Sequence, residues 1–190
     1  MDVIEAIRTR RSIGKVTEEM PPRDHIEKIL ESAIWAPNHF KTEPWRFTVL
    51  AGEGRKKLGD VYGKINVEKL INPSEEEKTE AYNKGLNKAL RAPIIIVIAV
   101  EPSEKEKVEQ IEEVEATACA VQNMMLTAHA LGLASIWRTG KPTYTEAMKK
   151  AFEISEKGMV LGYLYIGYPQ EVKSEPPKKK PVQEIAEWIV

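Results

Sequence analysis

Pro93-Ile94-Ile95-Ile96-Val97-Ile98-Ala99-Val100 carries no polar side chain, and most of its residues are β-branched. A half-exposed strand alternates polar and apolar residues. An unbroken run of this kind reads as a strand covered on both faces. On its C-terminal side, Glu101 to Lys107 is a charged connection, and a long helix follows. That helix starts with Glu109, Glu112, Glu113 and Glu115, then is almost wholly apolar from Ala116 to Leu133. It is expected to be buried on most sides, with Cys119 as an inert buried thiol. Gln122, Asn123 and His129 interrupt the run, which argues against a membrane span. Gly132 ends the helix, Ala134-Ser135-Ile136-Trp137 reads as a short strand and Arg138-Thr139-Gly140 as a loop. Thr143 to Phe152 is a modest helix, and Leu161 to Gly167 is a further strand.

On the N-terminal side, Gly54 to Ile71 and Ser74 to Ala92 read as charge-dense, surface-exposed helices, expected to be mobile and to shape a substrate entrance. Before them, Phe47 to Leu50 reads as a strand. Ile26, Ile29, Leu30, Ala33 and Ile34 recur at the spacing of a one-sided core helix. Pro21 and Pro22 open that helix and Pro37 stops it at Ala36. Between helix and strand, Ala36 to Phe47 is a polar loop bracketed by Pro37 and Pro44, a favourable place for ligand contacts. Asp2 to Thr9 forms a first short helix that runs into Arg8-Thr9-Arg10-Arg11-Ser12. The tail, Pro176-Pro177-Lys178-Lys179-Lys180-Pro181, leads to an apolar end at Ile185, Ala186, Trp188, Ile189 and Val190. That end either folds back on its own core or docks on a partner in a symmetric dimer. Neither repeats nor a domain boundary interrupt residues 1–190, so one domain is expected.

The chain has 190 residues, of which 42% are hydrophobic and 30% charged, ordinary for a globular domain. Basic residues number 28 and acidic residues 29, which weighs against a nucleic-acid binder. The start, Met1-Asp2-Val3-Ile4-Glu5, lacks the basic and apolar regions of a signal peptide, so a cytoplasmic location is expected. A single cysteine rules out an internal disulfide.

The motifs exclude several chemistries. There is no Rossmann fingerprint. Gly54 to Asp60 has P-loop glycine spacing, but Asp60 stands where a lysine must meet phosphate. His25, His39 and His129 have no metal-ligand spacing, and no GxSxG elbow appears. What remains is a set of anion and ring contacts. Arginine offers a planar fork of donors that matches phosphate oxygens, so Arg10, Arg11 and Ser12 can hold a phosphate. Arg138 and Thr139 add donors, Trp35 and Trp137 offer flat faces, and Asn38 and His39 offer hydrogen bonds to a ring or sugar. Each also has an ordinary reading: core packing for the tryptophans, loop capping for His39, and a loop-end ion pair for Arg138.

These pieces, in this order, resemble the flavin-dependent nitroreductase family, and in particular its small NAD(P)H nitroreductase branch. The resemblance spans nearly the whole chain. It is carried by Arg10-Arg11-Ser12, Ala36-Pro37-Asn38-His39, Pro44-Trp45-Arg46-Phe47, Arg91-Ala92-Pro93, Ile136 to Gly140, and Gly162 to Pro169. It implies an α+β fold: an α-β-α sandwich around a mostly antiparallel sheet, in an intertwined homodimer with exchanged C-terminal arms. It implies tightly but non-covalently bound FMN at the subunit interface. By resemblance, Arg10, Arg11 and Ser12 contact its phosphate and ribityl chain, and Trp35 lies near the flavin of its own subunit. Asn38 and His39 reach the neighbour's flavin, while Trp137, Arg138 and Thr139 close the site. A lysine of the 178–180 run corresponds to a basic residue that relatives place on the phosphate.

The activity implied is ping-pong hydride transfer from NAD(P)H through FMN to an electron-poor acceptor such as a nitroaromatic or quinone, with no protein residue required as an acid or base. Dehalogenation or flavin degradation in the same site, or non-catalytic flavin binding, are the alternatives. Lys41 and Glu43 stand where many relatives have Asn and Gln, so those two amide contacts do not carry over.

Overall fold

The computed structural model describes residues 1–171 and 177–190 of the chain; Pro176 of the proline-rich tail lies outside the described residues. The Ile94–Val100 run is indeed a strand buried along its whole length, β2. It lies inside a four-stranded antiparallel sheet with β1 (Trp45–Ala51), β3 (Ala134–Arg138) and β4 (Met159–Gly167), in the order β1-β2-β4-β3. Alternate side chains of β2 feed two separate cores. Ile95, Val97 and Ala99 face one core with Tyr163 and Tyr165 of β4. Ile94, Ile96, Ile98 and Val100 face the other with Leu164 and Ile166. Such two-sided burial leaves no place for a polar residue, which is why the run is unbroken.

Helices cover both faces. On one lie α2 (Arg23–Ile34) and the long α5 (Gln110–Ala130). On the other lie α3 (Arg55–Glu68) and α6 (Glu146–Ala151), with α4 (Glu75–Ala89) packed on α3. The short α1 (Val3–Thr9) rests against the end of α5, as the bond between Thr9 and His129 shows. The α+β sandwich is therefore present as expected.

Two local expectations fail for packing reasons. Helix α3 is not a surface-exposed helix: Leu58, Tyr62 and Ile65 are core residues. Its charges occupy the outer face, and α4 sits close because glycines line the contact. A Cβ on Gly85 would lie 2.3 Å from the Gly63 nitrogen, and one on Gly59 would lie 3.0 Å from the Leu86 Cα. Cys119 is exposed rather than buried. Helix α5 buries Ala116, Ala120, Val121 and Met124 but leaves a face through Cys119 open. The C-terminal end does not fold back on its own core: Ile185 is 71% exposed and Trp188 86%.

Candidate functional site

Asp2 caps α1 by accepting from the Ile4 and Glu5 amides, and the helix stops at Thr9. The chain then runs as a strap along the free edge of β3. Ser12 bridges to Ser135, and the Ile13 amide donates to the Ser135 carbonyl at 3.1 Å. The strap places Arg10, Arg11 and Ser12 around a cavity of about 530 Å³ that Arg8 and Lys179 also border. Arg8, though exposed, is thus part of this rim, and Lys179 is the lysine of the 178–180 run found there. Arg11 Nη1 donates to the carbonyls of Arg8 (2.7 Å) and Arg10 (2.9 Å). Arg10 Nη1 and Arg11 Nε are buried and have no partner among the described residues. Burial, and then the charge of Arg11, hold the Arg10 guanidinium below its usual pKa.

His129, on the last turn of α5, belongs to this group. The Thr9 hydroxyl donates to the Glu5 carbonyl at 2.7 Å, so its oxygen accepts from His129 Nε2 at 2.8 Å. Burial, then Arg10 and Arg11, lower the pKa of His129, and Glu5 opposes them.

A second cavity of about 360 Å³ opens beyond the strap, between β3 and the α3–α4 pair. Ile136 packs on the α3-side core and Trp137 on the α5-side core, as alternation along β3 requires. The Arg138 guanidinium lies on the α3 side, 5.4 Å from the Tyr165 ring centre. Lys88 Nζ sits 5.5 Å from the Tyr62 ring centre. Lys88, Arg91 and Arg138 line this cavity without a carboxylate among its lining residues, and Thr139 is at its rim. Burial pushes the Tyr165 hydroxyl up to about 12, against the pull of Arg138 and Arg91. Burial and then Arg91 lower the pKa of Lys88. Trp137 Nε1 and Arg138 Nε are buried without a partner among the described residues.

The strap joins the two cavities. A Cβ on Gly14 would lie 2.8 Å from Arg138 Nη2, so the backbone passes directly over that guanidinium. Gly162, at φ +146°, lets the Trp137 indole approach; a Cβ there would lie 2.4 Å from Nε1.

Trp35, Asn38 and His39 form a third group. Trp35 ends α2 and is 79% exposed. Asn38 Oδ1 accepts from the Glu43 amide at 3.1 Å, and His39 Nδ1 lies 2.8 Å from Glu112 Oε2. Glu112 lies in the first turn of α5 and His129 in its last, roughly 25 Å apart at about 1.5 Å per residue. Within one protomer, therefore, His39 and the arginine strap are not brought together. Lys88, Arg91, Tyr165 and His129 went unassigned in the reading of the sequence.

The nitroreductase family profile matches residues 7–168. The Escherichia coli (strain K12) protein described as "Putative NAD(P)H nitroreductase YdjA" is 34% identical over 170 residues, 90% of each chain. YfhC of Bacillus subtilis (strain 168), described in the same words, is 30% identical over 181 residues, 95% of this chain and 90% of that one. Among solved structures, a nitroreductase-like family protein from Bacillus cereus superposes with a TM-score of 0.84 at 28% identity. It covers 100% of this chain and 96% of that one. A nitroreductase from Desulfovibrio desulfuricans, solved in complex with FMN, gives 0.74 at 25% identity and covers 100% and 98%. The fold, the length matched and the identity to these relatives agree: the chain belongs to the nitroreductase family of oxidoreductases.

Proposed function

We propose that the chain, as one FMN-binding domain over residues 1–190, transfers a hydride from NADH or NADPH to a small electron-poor acceptor such as a nitroaromatic or quinone. The observation that carries this is the pair of buried, unpartnered nitrogens Arg10 Nη1 and Arg11 Nε at the rim of a basic cavity. Leaving such donors unpaired is costly, and a phosphate supplies the missing acceptors. The FMN in the Desulfovibrio relative and the NAD(P)H in the name of the Escherichia relative support the same reading.

Bound FMN would supply the two-electron chemistry by taking a hydride from the nicotinamide and handing it to the acceptor. Arg10, Arg11, Ser12 and Lys179 would hold the phosphate end. Trp137, Arg138 and Thr139 would enclose the other end. The unpaired Arg138 Nε is a donor suited to a polar heterocycle edge, while Trp137 Nε1 lies on the other face of the sheet against Gly162. Lys88 and Arg91 add positive charge without a carboxylate nearby, so their cavity favours a group that gains negative charge. No side chain needs to act as an acid or base.

The site is proposed to be shared between two protomers. Asn38 and His39 lie too far along α5 to join the strap of their own chain, so a second chain must bring them. Trp35, by the family resemblance, would lie near the flavin of its own subunit. The uncovered Ile185 and Trp188 suit an arm laid on the partner. The purified protein is expected to be yellow, with a flavin spectrum that NADH or NADPH bleaches and an added quinone or nitroaromatic restores. A colourless protein that takes up no added FMN would refute the proposal.

A further inference from the structure

The loop from Asn38 to Glu43 is held in a costly shape. Phe40, Lys41 and Glu43 all have left-handed backbones, with φ of 57°, 51° and 50°. Residues with a Cβ adopt that region at a cost, and persist there only where surrounding contacts impose it. Three contacts are internal: Asn38 Oδ1 accepts from the Glu43 amide, the Thr42 hydroxyl lies 3.4 Å from the His39 carbonyl, and the Phe40 ring stacks on His39 at 3.8 Å. The others come from the first turn of α5. The Thr42 hydroxyl donates to Glu113 Oε1, and the Ser103 amide donates to Glu113 Oε2 at 2.7 Å. Glu113 is 2% exposed. A carboxylate is expensive to bury, and this one is tolerated because both oxygens accept hydrogen bonds at a helix N-terminus. Its neighbour Glu112 takes His39 Nδ1. Nothing in the proposed chemistry uses either carboxylate.

We infer that Glu113 is a positioning residue: by tying Thr42 to Ser103 it fixes the strained loop so that Asn38 and His39 are presented in one arrangement to the cofactor site of a second protomer. Glu112 orients the imidazole within that arrangement. The consequence for the cofactor rests on the FMN reading; the latch itself does not.

The test compares Thr42→Val, Glu113→Ala, Glu113→Gln and the Thr42→Val/Glu113→Ala double variant in the full chain. Native-state trypsin cleavage after Lys41 reports the loop, and FMN titration reports the site. Thr42→Val should speed cleavage at Lys41 and weaken FMN binding by about tenfold, as expected for one lost buried hydrogen bond, and Glu113→Ala, which also releases the Ser103 amide, by at least as much. The double variant should be no worse than Glu113→Ala, because both changes remove the same contact. Glu113→Gln should stay close to the parent, since its oxygen accepts from Ser103 and its amide donates to Thr42. If Glu113→Ala does not fold, Thr42→Val and Glu113→Gln carry the comparison. Unchanged cleavage in Thr42→Val, or effects that multiply in the double variant, overturns the latch. Faster cleavage with unchanged FMN affinity overturns the positioning role. A parent protein that binds no FMN sinks the proposed function instead, while cleavage at Lys41 still decides the latch.

Discussion

The two ends of α5 solve opposite problems. At its C-terminal end the strap of Arg10 to Ser12 gathers cations and leaves Arg10 Nη1 and Arg11 Nε unpaired. At its N-terminal end Glu112 and Glu113 engage His39, Thr42 and the Ser103 amide, so the loop is held from within the protomer. Unpaired buried donors weaken a fold unless a ligand arrives, whereas satisfied buried acceptors rigidify it. The first end is built to receive and the second to present, which matches a site assembled from two chains.

The sharpest way to break this contrast is Arg10→Ala with Arg11→Ala. Losing charge-assisted hydrogen bonds of roughly 1.5–3 kcal/mol each should weaken FMN binding by about a hundredfold or more. Calorimetric melting of the FMN-free protein should show only a small loss of stability, from the Arg8 and Arg10 carbonyls that Arg11 Nη1 no longer meets. A large drop in melting temperature without ligand would mean that the strap is scaffold, like the opposite end. Glu113→Ala should do the reverse to the FMN-free protein, lowering its stability by about 1–3 kcal/mol in denaturant titration through the orphaned Ser103 and Thr42 donors. Between the two ends, Gly162→Ala should cost about 1–3 kcal/mol by overpacking the Trp137 indole. Its signature is a shift in tryptophan emission.

The smallest effect is a pH dependence at the strap. The lowered pKa of His129 means the unfolded chain takes up its proton first, so stability falls as pH drops below about 6.5 towards the folded value. Inorganic phosphate on the arginines should cancel part of their charge and move the His129 NMR titration upward. No movement would show that the anion binds elsewhere.

How far the sequence revealed this arrangement depended on whether the signal was local. The β2 run and the spacing of Ile26, Ile29 and Ala33 announce their elements because burial dictates each residue. Arg10, Arg11 and Ser12 were legible because three donors lie side by side in the chain. Lys88 and Arg91 were not, because their cavity exists only once α4 ends beside β3, a strand placed at the sheet edge by the order β1-β2-β4-β3. Glu113 looked like one more acid in a solvated helix start, and only the folded-over loop and Ser103 make it a buried acceptor. Helix α3 was misread because its charge density is real, while Gly59, Gly63 and Gly85 hide how closely α4 meets it.

The open position of Cys119 has a practical consequence. It is the sole cysteine and lies near the middle of α5, between the receiving and presenting ends. A thiol-reactive spin label or fluorophore therefore attaches at one known place with no mutagenesis. Should a partner cover this face of α5, the rate of labelling at Cys119 falls on assembly, which follows assembly in the unaltered protein.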